Sequence, residues 1–146
     1  MGLRRRFLTA LGVALVAVVN VQAAVAQDSP IFARWVTDDN SAVIRIFPCG
    51  QNLCGVIDRV LDPKAPANDV RNPDPAARSK PLAGKAVLQG FTGSGMKWTG
   101  GSAYDPKSGR SYNSRLELQD NGKLKVTGCV LFICQSRYWT RAPGKS

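Results

Sequence analysis

From residue 31 onward the chain repeats one device: a short run rich in β-branched and aromatic side chains, then a cluster of turn-forming residues. No stretch carries the 3.6-residue period of an amphipathic helix. The runs are Ile31–Val36, Ser41–Phe47, Leu53–Val60, Gly84–Phe91, Met96–Tyr104, Arg110–Gln119, Lys123–Val130 and Ile133–Arg141. In Arg110–Gln119, Tyr112, Ser114, Leu116 and Leu118 fall on one face, and Ser111, Asn113, Arg115 and Glu117 on the other. That is the two-residue period of a half-buried strand. Thr37-Asp38-Asp39-Asn40, Thr92-Gly93-Ser94-Gly95, Asp105-Pro106-Lys107-Ser108-Gly109 and Asp120-Asn121-Gly122 are turns, because Asp, Asn, Pro and Gly suit their special backbone angles. Tight turns join neighbouring strands antiparallel. Eight such strands in sequence predict an all-β, antiparallel up-and-down barrel, whose closure removes exposed edges. A sandwich of two four-stranded sheets is the competing arrangement.

One segment breaks the rhythm. Residues 61–81 contain Pro63, Pro66, Pro73, Pro75 and Pro81. Proline lacks an N–H and fixes φ, so this stretch is neither a central strand nor a regular helix. It is predicted to be a long Pro-rich loop between strands three and four, with one short helical turn at Pro75–Arg78. Loops of this length often carry function, and this one is placed to gate the barrel mouth.

The first 26 residues are an address. Arg4, Arg5 and Arg6 precede an apolar run, Phe7 to Val19, and Ala24-Val25-Ala26 is a small-residue cleavage site. This predicts a cleaved export signal over 1–26 and one domain over 27–146, located in the periplasm or secreted. The apolar run is short for a membrane span, and no later stretch is long and apolar, so no transmembrane segment is expected after the signal is removed. Arg4-Arg5-Arg6-Phe7-Leu8 also fits the twin-arginine pattern, which leaves both the general secretory and the twin-arginine routes open.

Four cysteines in a small exported domain read as two disulfides. Cys49 and Cys54 are separated by four residues, and so are Cys129 and Cys134. Each pair flanks a predicted hairpin turn, which favours Cys49–Cys54 and Cys129–Cys134; crossed pairing is the alternative. A four-thiolate zinc site is disfavoured by the spacing and by an oxidising compartment, so no metal is expected.

Charge and chemistry narrow the function. The 146 residues carry 20 Lys+Arg and 10 Asp+Glu, a net charge of +10, of which three arginines lie in the signal, leaving +7 over 27–146. That favours an anionic partner such as a lipid surface or envelope polymer. The basic residues are scattered, and no nucleic-acid motif accompanies them. Arg115, Lys123 and Lys125 form one outward patch, a pattern that an ordinary solvated sheet face also produces. There is no histidine, which excludes Ser-His-Asp and Cys-His triads, imidazole acid–base chemistry and His-containing zinc sites. The carboxylates Asp58, Asp62, Asp69, Asp74, Asp105 and Glu117 are not fixed in any facing pair that hydrolysis would need. The chain therefore reads as a binding or accessory protein, not an enzyme, with no catalytic residue and no cofactor. Trp98, Tyr104 and Tyr112 lie on adjacent predicted strands and are the candidate wall for a small apolar or amphipathic ligand. Aromatic residues of a barrel also serve as plain core.

The ordered motifs point further. They are Arg34-Trp35, Ile46-Phe47-Pro48-Cys49-Gly50, Leu53-Cys54-Gly55, Asn72-Pro73-Asp74-Pro75, Lys80-Pro81-Leu82-Ala83-Gly84, Trp98-Thr99-Gly100-Gly101, Tyr104-Asp105-Pro106, Gly109-Arg110-Ser111-Tyr112, Gly128-Cys129 and Trp139-Thr140-Arg141. In this order they resemble the exported bacterial family called domain of unknown function 2147, over nearly all of residues 31–141. Ala83 stands where some relatives carry cysteine. The resemblance implies a lipocalin-like, or calycin, barrel and brings no established activity. In such barrels the first strand often opens Gly-x-Trp, matched here by Ala33-Arg34-Trp35. A last-strand arginine often covers that tryptophan, which makes Trp35 with Arg137 or Arg141 a candidate floor plug held by a cation–π contact of roughly 0.5–2 kcal/mol.

Overall fold

The computed structural model describes residues 17–19 and 28–144. The export signal predicted over 1–26 lies outside the described residues except at 17–19. Among the described residues no helix is long and apolar enough to cross a membrane. Eight strands follow in order: β1 (Arg34–Val36), β2 (Ala42–Cys49), β3 (Asn52–Val60), β4 (Ala86–Ser94), β5 (Lys97–Asp105), β6 (Arg110–Leu118), β7 (Leu124–Val130) and β8 (Ile133–Arg141). Each pairs antiparallel with its neighbour, and β8 returns to β1, closing an up-and-down barrel.

Local chemistry explains the boundaries. Gly122 sits at φ 79 while Asn121 Oδ1 accepts the Lys123 N–H at 3.0 Å, so the β6–β7 turn is held by its own side chain. Asp105 Oδ1 does the same for the Lys107 N–H at 2.9 Å in the β5–β6 turn. The long segment between β3 and β4 contains one 3-10 turn, Pro75–Ala77, capped by Asp74, whose carboxylate accepts the Ala76 N–H.

Alternation then fills the interior. Trp35, Ile44, Ile46, Leu53, Ile57, Leu88, Phe91, Trp98, Leu116, Leu124 and Val126 are buried in one cluster. Gly101 has no side chain because the Phe91 ring occupies the space a Cβ would take. The interior at this level is side chain rather than void.

The two ends of the barrel differ. The floor carries the β2–β3, β4–β5 and β6–β7 turns. Beneath it runs the segment before β1: Ile31 is fully buried, Phe32 packs against Trp98 with ring centroids 5.6 Å apart, and Ser29 Oγ donates to Gly95 O at 2.5 Å. The mouth carries the β1–β2 turn, the 61–85 loop, the β5–β6 turn and the β7–β8 turn.

β1 is only three residues long, and β8 has register partners on that side at Thr140 and Arg141 alone. The rest of β8 runs on with β7 as an arm that is open along β8 and stays paired to β6 along β7 as far as Cys129, and Ile133 to Tyr138 are all exposed. Disulfides staple two hairpins, Cys49–Cys54 joining β2 to β3 and Cys129–Cys134 closing the arm. Past Cys129 the hairpin has no register partner on β6, so the second bond holds in shape a turn that little packing supports.

Replacing Cys129 and Cys134 together by serine is therefore expected to loosen the arm and spare the barrel. Amide exchange over residues 128–136 should rise about tenfold or more. The stability loss should stay near ~2 kcal/mol, the entropic scale of so short a loop. Exchange mapped by mass spectrometry, beside a melting curve, checks both.

Candidate functional site

The three aromatic residues singled out in the sequence occupy different places. Trp98 is fully buried near the floor, its Nε1 donating to Ser29 Oγ at 3.2 Å and to Gly95 O at 3.3 Å. Tyr112 lies towards the mouth, opposite Ala103, on the inner face that Leu88 defines. Tyr104 is near the mouth too, but on the other face of β5. Six residues separate Trp98 from Tyr104, which in a regular strand would put them on one side. Gly100, at φ 71, inserts one extra residue between the Trp98–Leu116 and Gly101–Ser114 pairs, and this bulge turns Tyr104 outward.

Tyr104 has a specific partner there. Its hydroxyl donates to Asp69 Oδ1 at 2.7 Å. Asp69 comes from the 61–85 loop and its side chain is fully buried. Asn72 Nδ2 donates to Oδ2 at 2.6 Å, and Lys85 Nζ lies 2.9 Å from the same oxygen and 4.9 Å from the Tyr104 ring centroid. Burial works to raise the Asp69 pKa, but the donors from Asn72, Lys85 and Tyr104, with the Lys85 charge, overcome it and hold it below the ordinary 3.8. Burial and the carboxylate beside it push the Tyr104 hydroxyl up to about 12. The cluster pins the loop to β5 and to the start of β4. Sequence reasoning ranked Asp69 only among the loop carboxylates, because its partners lie 35 and 16 residues away.

A second set of contacts straps the mouth. Asp39, in the β1–β2 turn, meets Lys107 Nζ of the β5–β6 turn at 2.5 Å. Asp39 Oδ1 also accepts from Thr37 Oγ1 and the Ser41 N–H. Burial would raise the Asp39 pKa, yet these donors hold it well below the usual carboxylate range, and the same bond raises the Lys107 pKa. Arg71 Nη1 donates to Lys107 O at 2.5 Å. A Cβ on Gly109 would collide with Arg71 O, so loop and turn meet backbone to backbone. Three mouth segments are thus tied at Lys107.

The two candidate floor arginines separate. Arg141 lies over the Trp35 ring with Cζ 4.7 Å from the centroid, and its Nη2 donates to Pro30 O at 2.8 Å. Arg137 is paired with Asp38 at 3.3 Å on the mouth side.

The other carboxylates have local partners. Asp58 meets Arg34 and Arg45, Asp62 accepts the Lys64 N–H, Asp74 caps its turn, and Asp105 accepts from Ser108 Oγ. Glu117 lies among Lys97, Arg115 and its register partner Lys125, which breaks the positive patch predicted for Arg115, Lys123 and Lys125. Among the described residues no group of three metal-ligating side chains is placed to hold an ion.

Inward-facing residues divide into two layers. Those near the floor are buried. Above them Ala103, Tyr112 and Gly128 are half-buried, and Gln135 and Arg137 are exposed, although the register sets all five on the inner side. Two grooves mark the outer wall. One of about 330 Å³ is bordered by Thr99, Asn113, Arg115 and Thr127, and one of about 190 Å³ by Gln89, Ser102, Tyr104 and Ser111.

A family model described as an uncharacterized protein conserved in bacteria (DUF2147) matches residues 33–141. Among solved structures, the Helicobacter pylori protein HP1028, described as belonging to the lipocalin family, aligns with a TM-score of 0.70 at 19% identity, over 80% of this chain and 85% of that one. The likeness is one of fold. No curated protein matches the sequence.

Two outcomes test the buried cluster. Asp69→Asn should cost about 2–4 kcal/mol at neutral pH, because Lys85 loses its counter-charge. Because the folded pKa lies below 3.8, the stabilisation is complete above that value and fades as pH falls through the lowered one. The gap between wild type and variant should therefore narrow in acid, as denaturant melts at a series of pH values would show. In an ultraviolet titration one of the three tyrosines should ionise near 12, and Tyr104→Phe should remove that step.

Proposed function

We propose that this chain, which belongs to the bacterial DUF2147 family, is an exported binding protein that holds a small apolar or amphipathic ligand in the upper half of its lipocalin-like barrel. One observation carries this reading: on the inner face near the mouth Ala103, Tyr112 and Gly128 are half-buried and Gln135 and Arg137 are exposed, while the layer beneath them is packed shut. A concave, half-lined chamber on a rigid base is how barrels hold small ligands.

Tyr112 is the aromatic contact of the chamber, with Ala103 and the bare Gly128 beside it. Trp98 acts below, as part of the packed base, and Tyr104 acts through Asp69, as a positioning residue for the loop. Arg137, exposed on the inner face and shared with Asp38, supplies a cation for the polar end of an amphipathic ligand. The Asp39–Lys107 strap and the loop anchored at Asp69 frame the entrance. Rigid framing lowers the ordering cost of binding. The absence of histidine from the sequence and the partners that occupy Asp58, Asp62, Asp69, Asp74, Asp105 and Glu117 favour binding over catalysis. Export over 1–26 would deliver the chain to the periplasm or beyond, where two disulfides persist.

Native mass spectrometry of protein isolated from its own envelope should show bound mass that solvent extraction removes. Tyr112→Ala should weaken rebinding of the extracted compound about tenfold, the scale of one aromatic contact. Protein that arrives empty, and an extract that binds wild type and variant alike, would sink this reading.

A further inference from the structure

The arm ends in a feature that neither the barrel nor the mouth explains. Val130, Leu131, Phe132 and Ile133 form its tip, and they are 54%, 88%, 98% and 75% exposed. The fold gains almost no burial from Leu131 and Phe132. Their conformation is also unfavourable for their chemistry. Leu131 sits at φ 53, a left-handed angle that β-hairpin turns normally give to Asn, Asp or Gly. The chain uses such residues at comparable positions elsewhere, with Asn40 at φ 54 and Gly122 at φ 79. At this turn it places a leucine followed by a phenylalanine. Directly behind them, Cys129–Cys134 fixes the shape of the tip.

We propose that Val130–Ile133 is a membrane-docking finger, which sinks its apolar side chains into the surface layer of a bilayer containing anionic lipid. The tip is convex and narrow, so a protein partner would need a deep socket matched to it, whereas a bilayer offers apolar depth without a matching shape. Charge points the same way. The chain carries +10, and +7 without its first 26 residues, which draws it to an anionic surface. The disulfide keeps the four side chains presented together, so they need not be ordered at the moment of insertion. The finger's side chains are not those that line the ligand chamber, although both stand at the mouth, and a Tyr112→Ala protein should keep it.

The test is co-sedimentation of the purified protein with phosphatidylethanolamine–phosphatidylglycerol vesicles, beside a Leu131→Ser/Phe132→Ser variant. Both proteins keep the same N-terminus, so any membrane affinity of residues 1–26 cancels. The variant should bind about tenfold more weakly with an unchanged circular dichroism spectrum, and the emission of F132W should move to the blue when vesicles are added. Equal sedimentation of the two proteins, lost in high salt, would mean electrostatic attachment alone and overturn the proposal. So would F132W emission that stays at its aqueous wavelength. A concentration-dependent dimer that the serine variant abolishes, without vesicle binding, would assign the tip to a second copy of the chain and overturn it as well.

Discussion

Closure of the barrel rests on three residues. β1 must pair with β2 on one side and β8 on the other, and it does so over Arg34–Val36 alone. Trp35 is the centre of that short strand. It faces Ile44 across one ladder and Arg141 across the other. It is fully buried, its Nε1 donates to Ile31 O at 2.9 Å, and a guanidinium covers its ring. A strand this short contributes few ladder bonds, so the large apolar area of one tryptophan supplies much of what holds the circuit shut. The segment before β1 depends on it in turn: Ile31 gives its carbonyl to the indole, and Pro30 gives its own to Arg141.

The mouth is built on a different principle. It is fixed by charges and buried polar groups placed between segments far apart in sequence. Asp69 is the clearest case, with three donors converging on one buried carboxylate. Such a group is costly if any partner is lost and specific while all are present. The long loop therefore has one seat against the wall despite its length. The Lys107 ties add a second, more exposed set of contacts that salt screens more readily. A packed floor and an electrostatically framed entrance suit a barrel that must keep its shape while leaving one end accessible.

Much of this was legible in the sequence. The eight strands and the barrel followed from alternation and from turns such as Asp120-Asn121-Gly122, because both are local. The pairing of Cys49 with Cys54 was local too, since a four-residue gap at a hairpin sets the reach. The faces of β5 were harder. Trp98 and Tyr104 separate because Gly100 shifts the register by one, and the adjacent glycines 100 and 101 are the signal from which a bulge could have been read. The role of Asp69 was out of reach, because nothing near it in sequence announces Tyr104 or Lys85. The choice between Arg137 and Arg141 also waited on the register of β8 against β1. What a single sequence withholds is the long-range pairing of polar groups, and the mouth is made of such pairs.

The shortness of β1 has one more effect. A fully closed barrel has no unpaired strand border, but here β8 from Ile133 to Trp139 has no register partner on the β1 side. Its main-chain donors and acceptors along that border form a template for any extended segment that drifts past, including another copy of the same chain. The residues on this stretch suit a strand that must stay single. Gln135, Ser136 and Arg137 lie in sequence between the apolar tip and Trp139, and the Arg137–Asp38 pair places a charged group where an incoming strand would have to lie. Protection of that border against strand addition thus turns on a few polar side chains beside a gap in the wall, rather than on the barrel as a whole.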